Sequence, residues 1–146
     1  MSKEIKLNIR EATFDDVGSI VELTKELSYN VTNEEIKNKI KKFSLSLVEK
    51  IFVAENKDVI GWMHISLVEP LESNSFVEIR GIIVKEEFRK KGVGTKLIQT
   101  AENWAREKGF KKLRVRTNIK REETRKYYRN LNFISKKTQE VFEKEI

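Results

Sequence analysis

The segment EFRKKGVGTKLI (residues 87–98) combines glycines, positive charge and the start of a helical pattern. Gly92 and Gly94 directly follow Arg89, Lys90 and Lys91, and apolar residues at helical spacing come next. Glycine lets backbone N–H groups approach an anion without a Cβ atom, and the helix dipole favours negative charge at its N-terminus. The segment therefore predicts a phosphate-binding turn.

Two common phosphate-binding motifs do not fit this spacing. A dinucleotide fingerprint needs a third glycine three residues after the second, where this chain has Leu97. A P-loop needs four residues between its glycines, but only Val93 separates Gly92 from Gly94. What remains is R-x-x-G-x-G, placed between an apolar strand and a helix. On spacing alone, a tight strand-to-helix connection without a ligand remains open.

Composition restricts the other chemistry. The length of 146 residues predicts one domain, residues 1–146. The chain has no cysteine and one histidine, His64, which excludes disulfides, thiolate metal sites, a cysteine nucleophile and a histidine cluster. We therefore expect no metal. No apolar run approaches the ~18 residues of a membrane span, and the first residues lack the apolar core of a signal peptide. We expect a cytoplasmic protein without membrane association.

Charge is unevenly distributed along the chain. Residues 1–84 carry 11 Lys/Arg and 14 Asp/Glu, a net charge of −3, whereas residues 85–146 carry 19 and 9, a net charge of +10. A basic half indicates a polyanionic partner, either nucleic acid or a phosphorylated cofactor. A solvated lysine-rich surface is the alternative.

Periodicity predicts one alternating arrangement of strands and helices. Thr13 with Asp16 and Thr32 with Glu35 have the spacing of capping boxes, and Gly109 is placed to end a helix in a left-handed conformation. The tail, Phe133 to Ile146, is expected to supply two last strands. The other expected strands are 6–12, two within 51–69, 75–84 and 112–117, and the expected later helices are 92–108 and 121–131.

The segment IIVKEEFRKKGVGTKLI strongly resembles the acetyl-CoA-binding motif of the GNAT superfamily of N-acetyltransferases. NIREATFDDVGSIVEL resembles the opening strand and helix of that family, FVAENKDVIGWMHIS its hairpin, and RTNIKREETRKYYRNLNF its late helix. The resemblance implies an α/β (α+β) fold with a mixed, mostly antiparallel sheet of six to seven strands and about four helices. Asn132 replaces the usual glycine. Thr124 and Arg125 stand where small residues are common, a departure expected to alter packing but not chemistry.

The resemblance implies an N-acetyltransferase that uses acetyl-CoA as its acyl donor. Without cysteine, direct attack of a primary amine on bound acetyl-CoA is the simpler mechanism. The family motif assigns cofactor binding to Ile82, Ile83, Val84, Arg89, Lys90, Lys91, Gly92, Val93, Gly94, Thr95, Asn118 and Tyr128.

The resemblance also implies two catalytic residues. Glu78 matches a glutamate that serves several members as the base, directly or through water; an exposed or Arg80-paired carboxylate is the structural alternative, and His64 is a rival base. Tyr128 matches the tyrosine that faces the CoA sulfur as general acid. Its neighbour Tyr127 is expected to pack in the core.

The partners follow from charge and family together. Arg89, Lys90, Lys91 and also Lys126 suit the phosphates of CoA. The acidic half contains the helix pair 14–43, which favours a cationic amine acceptor of unspecified identity. A homodimer is compatible with the sequence. Two alternatives remain, which are a CoA-binding sensor or partner subunit without catalysis and, less favoured, a basic nucleic-acid-binding module.

Overall fold

The computed structural model describes residues 6–146 and divides after Val115 into two compact units. In the first unit, the strands are β1 Asn8–Glu11, β2 Glu49–Asn56, β3 Asp58–Val68, β4 Phe76–Val84 and β5 Leu113–Val115. Its helices are α1 Val17–Glu26, α2 Asn33–Ser44 and α3 Val93–Glu107, with short 3₁₀ helices at Phe14–Asp16 and Glu86–Phe88. The second unit contains α4, Glu122–Asn130. No helix among residues 6–146 is long and apolar enough to cross a membrane.

The sheet has the strand order β1-β2-β3-β4-β5, antiparallel except for the parallel pair β4–β5. The predicted class, α+β with a mixed, mostly antiparallel sheet and four helices, is confirmed. The described residues form five strands, and the tail from Phe133 supplies neither of the two strands expected of it. Residues 135–140 are six polar residues in succession, so the tail lacks the alternating apolar residues that would bury one face of a strand.

Capping residues define the helix ends as the sequence predicts. The Glu35 N–H donates to Thr32 Oγ1 at 3.1 Å, and the Thr32 N–H donates to the Glu35 carboxylate at 3.2 Å. Gly109 and Asn132 both have left-handed backbones, with φ of 83° and 70°, and each lies two residues after the last residue of its helix, α3 or α4. Asparagine therefore replaces glycine at the second end without losing the turn.

An ion-pair cluster joins β1, β2 and the entry to α1. Arg10 contacts both carboxylate oxygens of Asp16 at 2.7 and 2.8 Å, and Glu55 Oε2 at 2.8 Å. Burial by itself raises the pKa of Asp16, but the hydrogen bonds from Arg10 and from the Thr13 N–H outweigh it and hold that pKa below its ordinary value. The cluster fixes the first helix to the sheet edge.

The two faces of the sheet pack against different helices. Ile20, Ile40 and Val53 form a buried cluster, which places α1 and α2 on one face. Gly61 is on the opposite face, where a Cβ atom would lie 3.6 Å from side-chain atoms of Val93 and Leu97 in α3. The sheet thus separates the α1–α2 layer from the α3 layer.

A β-bulge interrupts β4 at Arg80. His64 of β3 pairs with Gly81, whereas the next residue, Ile65, pairs with Ile79, so Arg80 has no partner in the register. Bulges bend a strand, increase its twist and re-aim neighbouring side chains. The bulge lies between Glu78 and the end of β4 that leads to the glycine turn.

Candidate active site

The predicted phosphate turn connects β4 to α3. Lys90 and Gly92 both have left-handed backbones, with φ of 61° and 84°, and residues 89–92 are exposed. Alternating left-handed residues form concavities of backbone N–H groups that bind anions. The turn leads into the fifteen-residue helix α3 at Val93, and the N–H groups in the first turn of a helix make no bond within it. The turn therefore presents the exposed N-terminus of helix α3, flanked by the basic side chains of residues 89–91.

Short contacts fix the turn to the sheet. Arg89 Nε donates to the Val84 carbonyl at 3.1 Å, and the Lys85 N–H donates to the Ile60 carbonyl at 2.8 Å. Lys91 Nζ lies 5.6 Å from the centroid of the Phe88 ring. Arg89 thus stabilises the turn with one nitrogen, which leaves its two terminal nitrogens on an exposed side chain.

The two glycines of the motif have different roles. Gly92 needs its left-handed backbone, while Gly94 lies in the first turn of α3. Val93 between them is buried, with 1% of its surface exposed, and it anchors the helix start in the core. Thr95, which follows Gly94 in α3, is half-buried.

One edge of β4 is unpaired beyond the bulge. β5 pairs only with Val77, Glu78 and Ile79, and no strand of the described chain pairs on that side with residues 81–84. Ile82 and Val84 are half-buried, and Ile83 is buried. This edge offers backbone N–H and C=O groups to a ligand that contains amides.

Glu78 lies on the sheet face that carries α1 and α2. It pairs across the strands with Ser66, which alternates with His64 and Trp62, and Trp62 Nε1 donates to Thr24 of α1 at 3.2 Å. Glu78 has 2% of its surface exposed, and Arg80 Nη1 donates to its carboxylate at 2.5 Å. The ion pair with Arg80, considered from sequence as the alternative to catalysis, is therefore present.

A second carboxylate lies on the same face. Glu49 Oε2 is 2.5 Å from His64 Nε2 and accepts a hydrogen bond from Ser66 Oγ at 2.7 Å. The Phe43 ring stacks on His64, with centroids 4.9 Å apart. When Nε2 carries the proton that Glu49 accepts, Nδ1 is the basic nitrogen of His64. The sequence identified His64 but not Glu49 or Ser66, because cross-strand partners depend on register.

Asn118 and Tyr128 belong to the second unit. Asn118 Oδ1 accepts from the Lys120 N–H at 2.9 Å, so Asn118 forms a turn before α4. Tyr128 is buried and packs edge-to-face on Phe133, with centroids 5.4 Å apart. Burial, and next the neighbouring Tyr127, raise the pKa of Tyr128, which keeps it a phenol at neutral pH. Tyr127 was expected in the core, but 38% of its surface is exposed.

Comparison with known families decides the classification. The profile described as the Acetyltransferase (GNAT) family matches residues 17–133. The chain belongs to the GNAT family. Among the residues described, no group of three or more His, Cys, Asp or Glu side chains is placed to hold a metal ion.

Solved structures of GNAT enzymes have the same fold. The aminoglycoside acetyltransferase AAC(6')-Iy, in complex with a bisubstrate analogue of CoA, is 20% identical, with a TM-score of 0.84 over 97% of this chain and 99% of that one. AAC(6')-Ih from Acinetobacter baumannii is 17% identical, with a TM-score of 0.81 over 97% and 99%. Glucosamine-6-phosphate N-acetyltransferase from Arabidopsis thaliana is 19% identical, with a TM-score of 0.82 over 96% and 99%. Comparison with curated proteins gave no significant match.

Proposed function

We propose that this GNAT protein is an acetyl-CoA-dependent N-acetyltransferase that acetylates a primary amine. The turn between β4 and α3 carries the proposal. It combines two left-handed residues, exposed basic side chains and a helix N-terminus, the features that bind a pyrophosphate through backbone N–H groups.

Acetyl-CoA would be held by two features of the first unit. Arg89, Lys90 and Lys91, with the backbone from Gly92 to Thr95, would bind the pyrophosphate. The unpaired β4 edge at Ile82, Ile83 and Val84 would hydrogen-bond the amides of the pantetheine arm. Asn118 and Tyr128 enter this proposal through the family motif alone.

The reaction requires the ammonium nitrogen of the acceptor to lose two protons, one before and one after it attacks, and the sulfur to gain one. An alkylamine with a pKa near ~10.4 is almost fully protonated at neutral pH, so a base must take its proton. We assign that step to Glu78, directly or through water. The free amine then attacks the thioester carbonyl carbon, the C–S bond breaks, and the CoA thiolate takes a proton from Tyr128. The Tyr128 phenolate recovers a proton from the acetylated nitrogen, directly or through water, which leaves the neutral amide. His64, oriented by Glu49, is the rival base.

The acceptor is proposed to be a cationic amine. Glu49 and Glu78 bring two carboxylates to the α1–α2 face of the sheet, where Glu78 is ion-paired with Arg80 and Glu49 contacts His64. The fold is shared with enzymes named for aminoglycosides and for glucosamine-6-phosphate, both of which contain an amino sugar. Amino sugars are therefore the first acceptors to test.

Two measurements test the proposed function. Acetyl-CoA should raise the melting temperature, and CoA thiol should be released with at least one member of a panel of amino sugars, polyamines and peptide amines. Stabilisation by CoA without thiol release for any amine would favour a non-catalytic CoA-binding subunit. Absence of stabilisation, with salt-dependent retention on DNA, would replace the proposal with nucleic-acid binding.

A further inference from the structure

Arg80 is the exposed partner of a buried carboxylate. The side chain of Glu78 is 3% exposed and that of Arg80 is 51% exposed, and Arg80 Nη1 donates to Glu78 Oε2 at 2.5 Å. Arg80 is the extra residue of the β4 bulge, and bulges re-aim the side chains around them. The part of this ion pair that a ligand can reach from solvent is therefore mostly the Arg80 side chain.

The guanidinium group of Arg80 has donors beyond those used by the ion pair. A guanidinium group carries several N–H donors in a planar fork, and within residues 6–146 the Arg80 side chain donates only to Glu78. Carboxylates and phosphates match this fork because two of their oxygen atoms can each accept a hydrogen bond. Arg80 can therefore bind an anionic group of a ligand at the same place where that ligand reaches Glu78.

Positive charge already surrounds the carboxylate of Glu78. Its register partner in β5 is Arg114, whose Cζ lies 3.9 Å from the centroid of the Phe76 ring, two residues before Glu78 in β4. Glu49, the other carboxylate on this face, lies two strands away in β2. An ammonium ion that reached Glu78 alone would add a further positive charge beside Arg80 and Arg114.

We propose that Arg80 is a specificity-determining residue that selects acceptors carrying an anionic group, a phosphate or a carboxylate, in addition to their amine. This inference rests on the proposed function. The ammonium ion of the acceptor replaces the guanidinium group on Glu78, and the anionic group of the acceptor binds Arg80, so that one ion pair becomes two. A purely cationic amine makes only the first contact and leaves Arg80 without its counter-ion.

Matched acceptors measure the contribution of the anionic group. Glucosamine-6-phosphate and glucosamine differ by one phosphate, and glycine and glycinamide differ by the charge of the carboxyl group. The wild type should use the anionic member of at least one pair with a kcat/KM about 10-fold or more above that of the neutral member. The pair that shows this preference identifies the anion as a phosphate or a carboxylate.

Variants of Arg80 test whether that residue causes the preference. Arg80→Gln should reduce the preference about 10- to 100-fold, the range for a hydrogen bond to a charged group, mainly through a higher KM for the anionic acceptor. Taking the ratio of the two acceptors in each protein cancels any difference in their intrinsic reactivity. Arg80→Lys should keep part of the preference, because it retains the charge but loses the planar fork.

An exposed ion pair elsewhere in the first unit provides the matched control. Arg106 of α3 is also an exposed arginine paired with a glutamate, Glu102, at 3.4 Å. Arg106→Gln removes the same charge and should leave the preference unchanged. Isothermal titration of the anionic acceptor into protein saturated with CoA should show the same loss of affinity in Arg80→Gln, without turnover, and none in Arg106→Gln.

The outcomes separate this inference from the proposed function. A wild type that releases no CoA thiol with any amine overturns both. A wild type that acetylates amines without a preference in either pair, or a preference that persists in Arg80→Gln, overturns only the selecting role and leaves Arg80 a structural counter-ion of Glu78. If Arg80→Gln does not fold, Arg80→Lys is compared with the wild type on the same pairs, and an unchanged preference rejects the assignment.

Discussion

The left-handed backbone of Gly92 allows the phosphate turn to be tested through conformation alone. Within the described residues, no heavy atom beyond the two chain neighbours lies within 4 Å of a Cβ built on Gly92, so a methyl group there has room. Its φ of 84° is nevertheless unfavourable for alanine by about 1–2 kcal/mol. Gly92→Ala must therefore either keep the turn and lose that stability, or relax the turn and lose the arrangement of N–H groups.

The melting temperature and the CoA affinity distinguish the two outcomes, and in each outcome one of these quantities differs from that of the wild type. If the turn is kept, the melting temperature should fall by about 2–8 °C with CoA affinity retained, since ~1 kcal/mol corresponds to about 2–4 °C at this size. If the turn relaxes, isothermal titration should show a loss of about 5- to 30-fold in affinity. Gly92→Asn is the matched control, because asparagine adopts the left-handed conformation more readily, and it should approach the wild type. An alanine variant with wild-type stability and wild-type affinity would refute the reasoning.

Four further predictions concern other residues. Gly94→Asp places a negative side chain in the first turn of α3 and should lower acetyl-CoA affinity by orders of magnitude in a protein that calorimetry and circular dichroism show to be folded. Glu78→Gln should reduce turnover ~10²- to 10⁴-fold at neutral pH and recover as pH rises towards ~10, where free amine is abundant; a pH–rate profile parallel to the wild type would remove Glu78 from the mechanism. Tyr128→Phe should reduce turnover by a similar factor with little change in melting temperature, while Tyr127→Phe should be nearly silent; unchanged turnover, with chemistry rate-limiting, would leave Tyr128 a packing residue. The pKa of Asp16 is held below its ordinary value, so the ionised carboxylate stabilises the folded protein fully above about pH 4, and this contribution is lost as pH falls further. Asp16→Asn should therefore lower the free energy of unfolding by ~2–3 kcal/mol at pH 7. Unfolding experiments should show this difference from the wild type shrinking below pH 4.

The features predicted correctly from the sequence are those that depend on residues close together in the chain. The capping box at Thr32, the left-handed ends at Gly109 and Asn132, and the turn at Gly92 each depend on residues within a few positions of one another. Such features can be inferred from spacing because the backbone between the interacting groups is short. The family motif added the order of the elements and hence the sheet class.

Contacts between side chains on different strands could not be predicted from the sequence in this way. Glu49 reaches His64 across 15 residues of chain, and a shift of one residue in register would move Glu49 to the other face. Similarly, Arg125 was expected to affect only packing, because the sequence alone does not show that its Nε is buried without an acceptor. The tail from Phe133 was expected to supply two strands, but its run of six polar residues prevents the alternation of apolar and polar side chains that a half-buried strand needs.

The extra residue at Arg80 changes the numbering parity of β4. Before it, even-numbered positions such as Glu78 face the α1–α2 layer; after it, odd-numbered positions such as Ile83 do. Loss of one residue here would exchange the two faces for everything that follows, including the residues that lead into the glycine turn. Substitutions between Glu78 and the unpaired β4 edge can therefore be tolerated, but the number of residues between them cannot change. This strand should accordingly be intolerant of insertions and deletions.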